Sequence, residues 1–222
     1  QQYAKMMSEA RAQGALASAG DAQLRRLRAI AQRIVPFTGQ WNERASQWRW
    51  EVNLIRSKEI NAFCMPGGKI AFFTGILERL QLTDDEAAMI MGHEMAHALR
   101  EHASERIGKT QATGIGLSLA ARLLGLGDLG DVAANIGTQL LTLNFSREDE
   151  SEADLVGLEL AARAGYAPQA GASLWRKMAE ASGGGGGIAF LSTHPSGPQR
   201  IRDLQANEPK VQGLYERARR GG

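Results

Sequence analysis

The chain has 222 residues, 26 Lys+Arg against 24 Asp+Glu, a net charge of +2 and a 43% apolar fraction. This suits one ordinary domain with a real core and excludes wholesale disorder. A single cysteine, Cys64, excludes a disulfide framework and an all-cysteine zinc site, and the only histidines are His93, His97, His102 and His194.

Near-neutral charge argues against nucleic acid as a partner. The bases near the start (Lys5, Arg11, Arg25, Arg26, Arg28, Arg33) and those after Pro198 are interspersed with acids and carry no aromatic platforms, as on solvated helix faces. No run reaches the roughly 18–20 apolar residues of a membrane span. Any membrane association is therefore expected to be peripheral or through a lipid anchor. Because the chain starts with Gln, a signal peptide removed upstream is the natural expectation.

In chain order, residues 3–35 read as one or two amphipathic helices, with Leu24, Leu27, Ala31 and Ile34 at helical spacing. Residues 1–40 are expected to form a helical segment packing on a compact unit that spans 41–222. Trp48–Arg56 alternates apolar and polar residues, and Asn61–Met65 and Lys69–Thr74 flank Pro66-Gly67-Gly68. These predict three or four strands of an antiparallel or mixed sheet, with Cys64 a buried apolar thiol on its edge. Thr83-Asp84-Asp85-Glu86 is a capping box that opens a helix to about Arg106, apolar nearly all round and so buried. A glycine-rich apolar stretch, Ile115–Leu143, reads as buried or interfacial helix. Ser146 caps a helix to about Ala164, and Pro168 opens another to about Ala181. Gly183–Gly187 reads as a flexible tether, and Pro198–Asn207 and Val211–Arg220 as two closing helices. The class is α+β and predominantly helical.

The chemistry lies in His93-Glu94-Met95-Ala96-His97. Residues four apart leave one helix face a turn apart, so both imidazoles can reach one Zn²⁺. Glu94 projects beside them, placed to take a proton from water rather than to ligate. A catalytic zinc takes three protein ligands and keeps a fourth position open. Cys64 and His194 are the other soft candidates, and Ser146–Asp154 offers carboxylates from a second helix. Glu150 and Asp154 share a face, so one suits the metal while the other orients a ligating histidine through its Nδ1–H. Chemistry alone does not separate Glu148, Glu150 and Glu152. His102, about 140° round the helix from His97, is assigned to surface or structure.

Four motifs in order carry a resemblance over about residues 50–207: Asn61-Ala-Phe…Pro66-Gly-Gly, HExxH at His93–His97, Ser146-Arg-x-x-Glu150-x-x-Ala153-Asp154, and Thr193-His194-Pro…Arg200-Ile. Together the set resembles metallopeptidase family forty-eight, the CAAX-prenyl-protease and HtpX-like gluzincins, in its soluble bacterial periplasmic type. The resemblance implies a zincin-like fold and a zinc metalloendopeptidase with one Zn²⁺ per chain, held by His93, His97 and Glu150. Asp154 would then support a ligating histidine. It implies that Asn61–Thr74 pairs with an extended peptide substrate, with Gly67, Gly68 and Lys69 offering backbone groups and Asn61 near the scissile carbonyl. His194 is implied to assist the oxyanion or to occupy the open zinc position at rest, and Arg200 to brace the loop or a carboxylate. The setting implied is a bacterial periplasm or envelope, near the outer membrane. With no spans, prenylated peptides are not the expected substrate. The alternative is a latent, zinc-stabilised envelope chaperone with little proteolysis; a weaker one is a lipid-surface module using Ile115–Leu143.

Overall fold

A computed structural model describes residues 2–106, 144–183 and 188–221. The expected apolar helix at 115–143 and most of the glycine tether lie outside the described residues.

Helix α1 (Gln2–Ala12) precedes α2 (Ala22–Ile34), which Asp21 caps by accepting hydrogen bonds from the Gln23 and Leu24 amides. Two short 3-10 turns lead to β1 (Glu51–Ile55), β2 (Ala62–Met65) and β3 (Lys69–Phe73), followed by α3 (Thr74–Arg79) and α4 (Asp84–Leu99). Beyond residue 143 come α5 (Arg147–Arg163), α6 (Ala170–Ser182), α7 (Ala189–Thr193) and α8 (Pro198–Arg220).

Three strands are present among the described residues, in the order β1-β3-β2, with β1 parallel and β2 antiparallel to β3. The sheet is thus mixed. The β2–β3 connection needs glycines: Gly67 and Gly68 have φ of +85° and +78°, in the left-handed region other residues avoid. Strand β1 starts later than the alternation from Trp48 implies, because its partner β3 begins only at Lys69. Alternation sorts the two faces. Val52, Leu54, Ile70 and Phe72 join the main core with α2 and α4. Ile55, Phe63, Met65 and Ala71 pack instead against Tyr3, Met7 and Ala10 of α1. The Tyr3 hydroxyl anchors that helix, donating to the Ile70 carbonyl at 2.6 Å.

Two helix ends differ from the sequence expectation. Helix α4 stops at Leu99 instead of continuing to about Arg106: Glu101 has φ +59°, which reverses the chain before residues 102–106 start a new turn. Helix α8 is continuous through Pro209, where two helices were expected. Pro209 and Gln205 are both exposed, so the carbonyl that loses its amide partner faces water.

The start of α4 is tied to α6. Glu86 closes the capping box with Thr83 and is 3% exposed; its carboxylate also accepts from Ser173 Oγ and Lys177 Nζ, both at 2.6 Å. Burial pushes this carboxyl up, but Lys177, Ser173 and the Thr83 amide outweigh it and hold it below its ordinary value of 4.5. A depressed carboxyl stabilises the fold above its unfolded pKa and loses that contribution as pH falls through its folded pKa. Glu86→Gln is therefore expected to cost about 1.5–3 kcal/mol at neutral pH in urea unfolding. The gap to the parent should close on acidification below 4.5; a gap that widens there would contradict the assignment.

Candidate active site

Helices α4 and α5 meet at two glycines. A Cβ on Gly92 would lie 2.8 Å from the Gly157 carbonyl oxygen, and one on Gly157 would lie 2.7 Å from the His93 amide nitrogen. This backbone contact brings Glu150 and Asp154 of α5 onto the histidine face of α4.

His93 Nδ1 lies 3.0 Å from Asp154 Oδ1, so the carboxylate takes that N–H and Nε2 keeps its lone pair. Nε2 faces His97 Nε2 at 3.1 Å, and Glu150 Oε1 is 3.2 Å from His97 Nε2. His194, at the end of α7, places Nδ1 2.9 Å from Glu150 Oε1 and 3.3 Å from His93 Nε2. The four side chains are buried, and their ligand atoms lie within 4.8 Å of one another. Buried lone pairs aimed at each other are repulsive unless something electrophilic lies between them. Two imidazoles, a carboxylate and a further group at the fourth position are the donor set of a catalytic zinc site. The residues fit a metal ion.

The electrostatics follow the geometry. Burial lowers the His93 pKa, but Asp154 and Glu150 on either side of the ring act against it and raise the group. His97, desolvated and facing His93 and His194, is held well below its ordinary value. Burial raises Glu150, but the neighbouring His194 and His93 outweigh it and pull it below the usual carboxylate range. Asp154 is likewise lowered against burial by Arg200 and His93. Glu94 moves the other way: burial raises it, which suits a group that must take up a proton. Its Oε1 is buried and accepts no hydrogen bond among the described residues, with His194 Nε2 at 3.4 Å.

Arg200 braces both loop and carboxylate. Its Nε and Nη2 donate to Asp154 at 2.6 and 2.7 Å, and Nη1 donates to the Pro195 carbonyl at 2.9 Å. Two aromatics that sequence reasoning missed complete this layer. Trp175 donates to Asp154 Oδ1 at 3.3 Å and lies under the Arg200 guanidinium, 3.7 Å from its ring centroid. Phe145 stacks on His97 at 4.0 Å and on His194 at 5.2 Å. No motif marks either, since their partners lie in other elements.

The acids of α5 are now separated. Glu148 is exposed, Glu150 is 1% exposed inside the donor cluster, and Glu152 points at His102 and Arg100. His102 is not on the surface: it is 2% exposed, because the reversal at Glu101 turns it back toward His97. Angular position on a continued helix no longer applies to it.

A narrow cleft runs beside the cluster, lined by residues 61–66, Glu94, His97, Phe145 and His194. Asn61 faces it, with Oδ1 accepting from the Ala62 amide at 2.9 Å. Gly67, Gly68 and Lys69 do not line it. Strand β3 is central, the Gly68 carbonyl already accepts from the Glu51 amide at 2.9 Å, and Lys69 Nζ is held by the Arg49 carbonyl and Glu51. Among the described residues, the strand edge at the cleft is the outer edge of β2, and substrate pairing through Gly67, Gly68 and Lys69 stays an expectation. Cys64, half-buried on β2, has its thiol pushed well above the ordinary value by burial and by Glu94, which makes it a poor nucleophile.

Comparison with known proteins agrees with this geometry. The model of "Peptidase family M48" matches residues 21–208. The chain is 39% identical over 185 residues to the mitochondrial metalloendopeptidase OMA1 of Schizosaccharomyces pombe, covering 82% of this chain and 52% of that protein. It is 38% identical over 159 residues to OMA1 of Arabidopsis thaliana, covering 71% of this chain and 32% of the relative. Metalloprotease LoiP of Escherichia coli is 28% identical over 160 residues, with 67% and 59% covered. The chain thus spans about half or less of the length of the first two relatives.

Proposed function

Because this chain belongs to peptidase family M48, we propose that it is a zinc-dependent metalloendopeptidase that hydrolyses peptide bonds of misfolded or envelope proteins. The observation that carries this is the buried convergence of His93, His97 and Glu150 with Glu94 beside them. Zinc held by those three ligands would supply a Lewis acid and bring the pKa of water to about 7. Glu94 would take the water proton at Oε1 and return it to the leaving amine. Asp154 and Arg200 hold His93 in the tautomer that leaves Nε2 free. The substrate would lie extended along the outer edge of β2, with the Asn61 amide near its scissile carbonyl.

Metal analysis and casein digestion test this together. About one zinc per chain is expected, with digestion lost on chelation and restored by added zinc. Digestion indifferent to chelator would overturn the proposal.

His194 is proposed to keep the resting enzyme latent. Its Nδ1 lies among the donor atoms, 2.9 Å from Glu150 and 3.3 Å from His93, where a fourth group would sit. Its ring stacks on both Phe145 and Phe190. His194→Ala is expected to raise casein turnover several-fold; a fall would instead assign His194 to oxyanion stabilisation.

No described helix is long and apolar enough to cross a membrane. The bacterial envelope is proposed as the working compartment, supported by the motif resemblance and the likeness to LoiP of Escherichia coli; the OMA1 relatives are named as mitochondrial. Recovery of the protein with the envelope fraction of its host would support that placement, and recovery in the cytosol would oppose it.

A further inference from the structure

We propose that His102 is a positioning residue for His97, at the end of a relay that runs Arg100, Glu152, His102, His97. The proposal rests on the metallopeptidase reading and adds a control element to its site. His102 Nδ1 lies 3.0 Å from His97 Nδ1, and His102 Nε2 lies 2.8 Å from Glu152 Oε2. The far end is fixed by Arg100, whose Nε donates to Glu152 Oε1 at 2.7 Å.

The protons in this chain follow from the chemistry of its ends. An ionised carboxylate only accepts, so His102 Nε2 carries the proton facing Glu152. A neutral imidazole then has a lone pair at Nδ1. Two ring nitrogens at 3.0 Å share one proton, so His97 Nδ1 is the donor. His97 is left with its lone pair on Nε2, the atom that faces His93 and Glu150. His93 reaches the same state through one carboxylate, Asp154; His97 does so through an imidazole that relays a carboxylate. Both carboxylates stand on α5, two residues apart, so one helix sets the tautomers of both histidines. Only the left-handed turn at Glu101 makes the second arm reachable. Phe145, stacked on the His97 ring, limits its rotation and makes the Nδ1 partner decisive for where Nε2 points.

Zinc affinity is the readout, measured by competition with a chromophoric chelator, alongside the thermal midpoint of the metal-free protein. His102→Phe fills the site but accepts no hydrogen bond. It is expected to weaken zinc binding about 10–100-fold, the usual loss when a ligand's outer partner is removed. His102→Gln, which offers a carbonyl to His97 Nδ1–H, should recover most of that loss. Glu152→Ala removes a side chain that is 41% exposed, so the fold survives, and it should weaken zinc about tenfold. The relay is overturned if Phe and Gln variants bind zinc equally, or if Glu152→Ala binds like the parent. A parent that binds zinc but does not digest casein sinks the protease reading while leaving the relay standing. A parent that takes up no zinc sinks both.

Discussion

Glu94→Gln is expected to bind zinc as tightly as the parent and to cleave casein about 10²–10⁴-fold more slowly, the span associated with losing a general base. The two halves separate the roles of neighbouring residues. Glu94 is a buried carboxylate beside the donor cluster, 3.4 Å from His194 rather than among the ligand atoms, so an isosteric amide leaves His93, His97 and Glu150 in place. The amide has no basic oxygen to take a proton. Burial raises the Glu94 carboxyl and makes it a stronger base than a surface glutamate, and that advantage disappears with the charge. Parent-like turnover would remove Glu94 from the reaction; loss of zinc would make it a ligand.

The second large effect is expected from one methyl group. Gly157→Ala places a Cβ 2.7 Å from the His93 amide nitrogen and within 3.0 Å of backbone carbons of α4. Backbone cannot rotate away, so α4 and α5 must separate. Ala favours a helix over Gly by about 1 kcal/mol, but overpacking costs about 1–3 kcal/mol. The net should be lower stability. The site should suffer more than the fold, because Glu150 and Asp154 are carried on the displaced helix. A shift of about 1 Å at a reacting centre is enough to cost roughly 10²-fold, and zinc affinity should fall with activity. Gly213→Ala in α8 is the control: its Cβ would come no nearer than 3.5 Å to the Arg217 guanidinium, so it should stabilise by about 0.5–1 kcal/mol. If both substitutions shift the thermal midpoint alike, close helix approach is not what holds the site together.

Much of the site could be read along the chain because its signals are short-range. Two histidines a turn apart, a glutamate between them and a capping box ahead are properties of one helix, settled within about four residues. Glu150 and Asp154 share a helix face for the same reason, and the motif resemblance selected Glu150 from its acidic neighbours. The two closing helices were separated at Pro209 by a local rule that fails when the freed carbonyl is exposed.

The sequence by itself determined the chemistry: which residue types can bind a metal, which can take a proton, and that the helix carrying His93, Glu94 and His97 is buried. Tertiary structure alone decided who meets whom. The glycine contact of α4 with α5 set the distances within the donor cluster, and the reversal at Glu101 moved His102 from an expected surface or structural place to the back of His97. Strand order put the outer edge of β2 along the cleft, and Trp175 and Phe145 entered the site unannounced. The physical reason is the range of the forces involved. Helical periodicity and capping act between neighbours in the chain, whereas these contacts join residues far apart in sequence and exist only once the core has packed.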